Sequence, residues 1–212
     1  MNRKITKIKT NTLFKKRKYT NGLIIDFGCG NNKQKKAIGV DIYKRHGVDI
    51  IWDITKSPYP FPSNSAQKIY LIQVLEHFSL KKQIAIIKEI QRILKPGGIL
   101  DLRVPHAFSV GAFQDPTHKA FFTFHTIDYF LKGSAGYEWY PKTKFNFKLI
   151  ERRTKAFLSY SRHLQNKNWR LIETIPTFLL GKILSISPGL ADIYLKFLPF
   201  YYVDIIYILK KR

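Results

Sequence analysis

Leu23-Ile24-Ile25-Asp26-Phe27-Gly28-Cys29-Gly30 is the stretch on which the fold turns. An apolar run closes on an acid and then enters a glycine turn. Such a run reads as a buried strand, and the glycines permit a tight turn with close backbone approach to a ligand. The same pattern recurs downstream. Ala37-Ile38-Gly39-Val40-Asp41 and Asp49-Ile50-Ile51-Trp52-Asp53 are two more short strands ending in an acid, and Lys68 to Ile72 is a fourth after the proline-rich loop Ser57 to Ser65.

From Leu80 to Leu94, Ile84, Ile87, Ile90, Ile93 and Leu94 repeat at helical spacing, and Lys95-Pro96-Gly97-Gly98 stops the helix. Ile99 to Val104 is a fifth strand. Beyond Pro105, Thr126 to Lys132 reads as a short helix, Phe145 to Tyr160 as a long strand and Tyr202 to Leu209 as the last one. Strands alternating with crossovers predict an α/β fold: a doubly wound, mostly parallel seven-stranded sheet with an antiparallel last strand. His163 to Phe200 reads as helical and apolar. The expected organisation is a basic arm over 1–20 and one domain over 21–212, with 161–201 as a helical insertion before the last strand.

The chain of 212 residues carries 37 Lys+Arg against 14 Asp+Glu, a net charge of +23. That excess suits an anionic partner or a lysine-rich proteome equally; it bears on association, not on fold. The arm Met1 to Thr20 holds eight basic residues and no acid, and lacks the apolar core of a secretory signal. Cys29 is the single cysteine, so no intrachain disulfide or cysteine-rich zinc cage is available, and a cytoplasmic location is expected. Phe178 to Leu209 is the most apolar stretch, but charges and prolines interrupt it, which leaves peripheral contact with an anionic membrane rather than a span.

In open α/β sheets, ligands bind outside the C-terminal ends of the strands, where the candidate residues here fall in succession. Gly28 and Gly30 shape a turn, but Lys33 stands where a dinucleotide fingerprint has its third glycine, so a nicotinamide cofactor is disfavoured. Asp41 suits the two hydroxyls of a ribose, and Asp53 an exocyclic amine. Ile42 and Ile54 suit the faces of a base. Asp26 suits loop ordering or an ammonium group, and Gln73 the far end of the ligand.

Ile25-Asp26-Phe27-Gly28-Cys29-Gly30 resembles the first motif of class I S-adenosylmethionine-dependent methyltransferases. Gly39-Val40-Asp41-Ile42 resembles their ribose-binding strand end, and Trp52-Asp53-Ile54 with Pro60-Phe61-Pro62 their adenine-side segment. Val74-Leu75-Glu76-His77-Phe78 and Leu94-Lys95-Pro96-Gly97-Gly98 resemble later landmarks of the type 11 branch. The resemblance covers Leu23 to Pro105. It implies S-adenosylmethionine as cofactor, with roles for Asp26, Gly28, Gly30, Asp41 and Asp53; Cys29, Ile42, Ile54 and Gln73 complete the expected cofactor-binding set. One departure stands out: only Asn31 to Lys36 separate Gly30 from the second strand, so the first helix is expected to shrink to about one turn.

Methyl transfer needs an aligned acceptor, and a base only where the acceptor loses a proton. Candidates at the strand edge are Glu76, His77, His106 and His118, with His118 or His106 as base or substrate ligand. Phe113, Phe121, Phe122 and Phe124 are expected to shape a lid. His106, Asp115, His118 and His125 match no zinc spacing, and no metal is expected. Base-amine methyltransferases commonly carry an Asn- or Asp-Pro-Pro-aromatic motif where this chain has Gln73-Val74-Leu75-Glu76. The expected acceptor is therefore a small molecule, a sugar or a lipid-linked intermediate. An RNA-binding or RNA-modifying enzyme using the basic surface, and a non-catalytic cofactor-binding scaffold, are the alternatives.

Overall fold

The apolar runs pair side by side because each hides both faces in a parallel stack. The computed structural model describes residues 22–131, 145–157 and 202–212. The basic arm and the insertion 161–201 lie outside them. Five strands run in parallel: β1 Leu23–Phe27, β2 Ile38–Asp41, β3 Ile50–Ile51, β4 Ala66–Ile72 and β5 Leu94–Pro105. β6, Phe147–Phe157, and β7, Tyr202–Lys211, complete a seven-stranded sheet of order β3-β2-β1-β4-β5-β7-β6. β7 is antiparallel to both neighbours, as expected of the last strand. The order reverses between β1 and β4, the point in such sheets where a crevice opens beyond the strand ends.

Helix α1, Leu80–Ile93, buries Ile86, Ile87, Ile90 and Ile93 and stops at Leu94 before the Pro-Gly-Gly signal. The expected third strand shrinks to Ile50–Ile51, since it lies at the sheet edge with β2 alone to pair with. Thr126–Phe130 is a 3-10 helix. The first crossover is shorter still than expected. It holds no helix, only two turns closed by Asn32 N–H to the Cys29 carbonyl and Ala37 N–H to the Gln34 carbonyl (3.0 and 3.1 Å). Lys33, in the place of a third glycine, pairs with Asp49 at 2.7 Å and clamps this crossover to the start of β3.

Side chains from loops do part of the covering that helices would do. Tyr59 and Phe61 pack on Phe27, with ring centroids 5.2 and 5.9 Å apart. Arg92 of α1 donates to the carbonyls of Phe61 and Tyr59, and Glu89 accepts from the Tyr59 amide at 2.8 Å, so the loop is tied to the helix. No helix among the described residues is long and apolar enough to cross a membrane.

Candidate functional site

Beyond β1 the chain turns on two glycines of opposite character. Both have positive φ (69° at Gly28, 53° at Gly30), which glycine adopts without strain. A side chain on Gly28 would meet Val74 Cγ2 at 2.4 Å, so β4 closes the turn there. Around Gly30 nothing among the described residues lies within 4 Å of where a Cβ would stand, so its backbone faces away from them. Gly28 N–H and Cys29 N–H both donate to the Val40 carbonyl (2.7 and 3.3 Å), fastening the turn to β2.

The Asp41 carboxylate accepts from Gly30 N–H at 2.9 Å through Oδ2 and from Tyr43 N–H at 3.1 Å through Oδ1. Each oxygen keeps a second lone-pair site for a ligand hydroxyl. Trp52 N–H donates to the Asp41 carbonyl at 2.9 Å, placing Asp53 one residue further along the same edge. Asp53 Oδ1 accepts from the amide and hydroxyl of Thr55 (2.9 and 2.7 Å), which leaves Oδ2 without a partner among the described residues. Burial opposes ionisation of Asp53, but the Thr55 bonds together with Lys56 and Lys82 outweigh it and hold the group below the usual range. Ile42 is 52% exposed, whereas Ile54 belongs to the core.

Asp26 is buried, and its Oδ2 accepts from Gln34 N–H at 2.8 Å, ordering the helix-less crossover. Burial pushes its carboxyl up to about 6; the Gln34 bond and Arg103 pull the other way. Burial, then the Asp26 and Asp41 carboxylates, raise the Cys29 thiol to about 11. Gln73 stands at the end of β4 with φ 55°, and its Nε2 donates to Asp204 of β7 at 2.9 Å.

Beyond β4 a 3-10 turn, Leu75–His77, carries Glu76 and His77. Buried Gln83 of α1 holds it by donating to the carbonyls of Leu75 and Phe78 (3.1 and 2.9 Å). The loop after α2, Val110–Gln114, docks on this turn: the amides of Lys119 and Ala120 both donate to the Glu76 carbonyl (2.8 and 3.1 Å). His118 thereby meets His77, ring centroids 4.7 Å apart. One carboxylate oxygen of Glu76 and one ring nitrogen of each histidine lie within 4.8 Å of one another. Glu76 is 0% exposed, and neither carboxylate oxygen has a hydrogen-bond partner among the described residues. Burial pushes its carboxyl up to about 8; the Glu76 and Val74 amides favour the anion but stand short of hydrogen-bond geometry.

The partners assign both tautomers. His118 Nδ1 lies 2.9 Å from the Ala112 carbonyl, which can only accept, so Nδ1 carries the proton. Thr117 Oγ1 donates to Asp115 Oδ1 at 2.6 Å and therefore accepts from His77 Nδ1 at 2.8 Å. In both rings Nε2 accepts no hydrogen bond from the described residues. Burial and the neighbouring His118 hold His77 below its usual range.

The other expected residues go elsewhere. His106 is fully buried, and its Nδ1 accepts from Phe108 N–H at 3.1 Å, so it lies inside rather than at the edge. His125 stands with Asp128 and Arg152. The set His106, Asp115, His118 and His125 does not converge. The expected four-phenylalanine lid is corrected to two: Phe113 (67% exposed) and Phe121 (49%) stack at 4.8 Å, while Phe122 and Phe124 belong to the core. The short segment 121–124 alternates outward and inward, as extended chain does. Val74, Gln83, Thr117 and the Ala112 carbonyl carry no chemistry that a sequence would single out.

Residues 25–102 match the model of a methyltransferase domain. Among solved structures, a SAM-dependent methyltransferase from Archaeoglobus fulgidus is 15% identical, covering 95% of this chain and 92% of that one, at TM-score 0.53. One from Methanosarcina mazei is 15% identical (94% and 96% covered, TM-score 0.51). A 16S rRNA (adenine(1408)-N(1))-methyltransferase from Catenulisporales acidiphilia, crystallised with SAM, is 9% identical (98% and 93% covered, TM-score 0.55). At these identities the likeness is one of fold. No curated protein matches by sequence.

Proposed function

We propose that this chain, whose residues 25–102 match the model of a methyltransferase domain, transfers a methyl group from S-adenosylmethionine to a small-molecule, sugar or lipid-linked acceptor. One observation carries the cofactor half. The Asp41 carboxylate is tied to the Gly30 amide, beside backbone that faces away from the other described residues. Asp41 holds the ribose hydroxyls, Asp53 accepts from the adenine amine through its unpartnered Oδ2, and Gly28 to Gly30 let the backbone approach the amino-acid end. The cofactor supplies a methyl group already activated by its sulfonium.

The acceptor half belongs to the β4 side of the edge. His118 and His77, each with an Nε2 that accepts no hydrogen bond from the described residues, flank Glu76. An imidazole with an open lone pair, as at His77, which burial holds below its usual range, can take a proton from a hydroxyl or amine as the acceptor's lone pair turns to the methyl carbon. Phe113 and Phe121 stand exposed on the segments that carry and flank His118, a surface suited to an apolar portion of the acceptor.

The test is label transfer from methyl-labelled S-adenosylmethionine into fractionated cell extract. Label is expected in the small-molecule or lipid fraction. Label in RNA would favour the alternative that the charge of +23 keeps open. No transfer into any fraction would count against turnover and for a cofactor-binding scaffold.

A further inference from the structure

We propose that Glu76, His77 and His118 bind one divalent transition-metal ion of the zinc type, with at least one coordination position left open. The binding stands apart from methyl transfer; with the ion bound, Nε2 of His77 and His118 holds the ion in place of taking a proton, and only the ion's use, to hold an acceptor oxygen, rests on the function proposed above.

The donor set is two imidazoles and one carboxylate, found in catalytic zinc sites that keep an open position. One candidate ligand atom from each residue already lies within 4.8 Å of the others. Zinc bonds of about 2.0–2.2 Å bring such atoms to roughly 3.3–3.5 Å from one another, so side-chain movements of about an ångström close the set. Glu76 is wholly buried and both its oxygens lack partners among the described residues. A buried carboxylate left unsatisfied is costly, and a bound cation removes that cost.

The histidines are prepared in the way metal ligands are. Each has its Nδ1 proton fixed by an outer partner, the Ala112 carbonyl for His118 and Thr117, backed by Asp115, for His77. That orients the ring and leaves Nε2 to the ion. A histidine that only packs has no need of this. The scaffold is held from two sides, by Gln83 under the 3-10 turn and by the amides of Lys119 and Ala120 on the Glu76 carbonyl. Magnesium and calcium, which take oxygen ligands, do not suit this set.

The experiment uses the full chain, stripped with chelator and then equilibrated with Co2+ or Zn2+. One ion per chain should survive gel filtration. Co2+ should give the visible absorption of a low-coordinate imidazole-bound ion, and millimolar Mg2+ should not displace it. His77→Ala and His118→Ala should each weaken binding by about 10–100-fold or more, since losing an outer partner alone typically costs that much. The double variant should retain none, and exposed His46→Ala should bind as wild type. Glu76→Gln, close in shape, tests the carboxylate where alanine at either histidine disturbs folding; it should also weaken binding about tenfold or more. A wild-type chain that retains no metal, or a folded double variant or Glu76→Gln chain that retains it fully, overturns the proposal. S-adenosylhomocysteine binding by the same stripped protein separates the two readings: cofactor binding without metal retention sinks the metal site alone, and metal retention without cofactor binding sinks the cofactor reading alone.

Discussion

The two halves of the strand edge are built from different materials. On the β1–β2 side the site is backbone: two left-handed glycines and amides donating to Val40 and Asp41, all within a short run of chain. On the β4 side it is side chains, with His77 and Thr117 meeting from 40 residues apart because a loop docks on a 3-10 turn. Backbone construction makes the fold and the proposed cofactor turn hard to separate by mutation. Side-chain construction makes the chemistry separable from the fold.

Removing a functional group on the side-chain half should give the largest effect. His118→Ala should lower turnover by about a hundred- to ten-thousandfold, the usual worth of a positioned base, with cofactor affinity and melting temperature unchanged. Equal turnover in steady-state assays with the acceptor found by label transfer would make His118 a packing residue.

The two glycines sharpen the contrast on the other half. Gly28→Ala places a Cβ against Val74 as well as in a left-handed conformation, and should cost about 3 kcal/mol or more. Gly30→Ala meets nothing among the described residues, so it should cost only about 1–2 kcal/mol of backbone strain while weakening cofactor binding. Urea melts that rank the two equally would mean that Val74 does not close the turn.

Asp26 gives a pH signature to the backbone half. Its carboxyl, pushed up to about 6 by burial, keeps its proton in the folded chain after the unfolded chain has released it near 3.8. Its contribution to stability is therefore complete below about 4 and is lost as pH rises to about 6, by at most roughly 3 kcal/mol. Asp26→Asn should remove that fall in denaturant melts taken between pH 4 and 7. A variant with the same pH slope as wild type would show that Asp26 ionises normally.

Thr117→Val should have the smallest effect, about tenfold on turnover, because it frees the His77 ring without removing it.

How much of this is legible in the sequence follows the same division. Strand, acid and glycine turn are local signals, so Asp26, Gly28, Gly30, Asp41 and Asp53 stand at the edge where their spacing puts them. The shortened first crossover is legible from the six residues between Gly30 and Ala37, but the loss of its last helical turn is not. Glu76, His77 and His118 carry suitable chemistry one by one, but their meeting depends on two amides donating to a carbonyl, a contact that leaves no mark on residue identity. For the same reason His106, which looks like an edge residue after β5, turns inward when its backbone amide donates to the Val203 carbonyl at 2.7 Å. Phe122 and Phe124 read as lid residues because a four-residue alternation is too short to show which face is covered.

Calorimetric titration with S-adenosylhomocysteine bears most directly on the proposed nucleoside site at the ends of β1 and β2. The wild-type chain should bind at micromolar affinity or tighter, and Asp41→Ala, folded as shown by its circular dichroism, should lose that binding. A wild-type chain that takes up no ligand, or an Asp41→Ala chain that binds as tightly as its parent, would contradict the account.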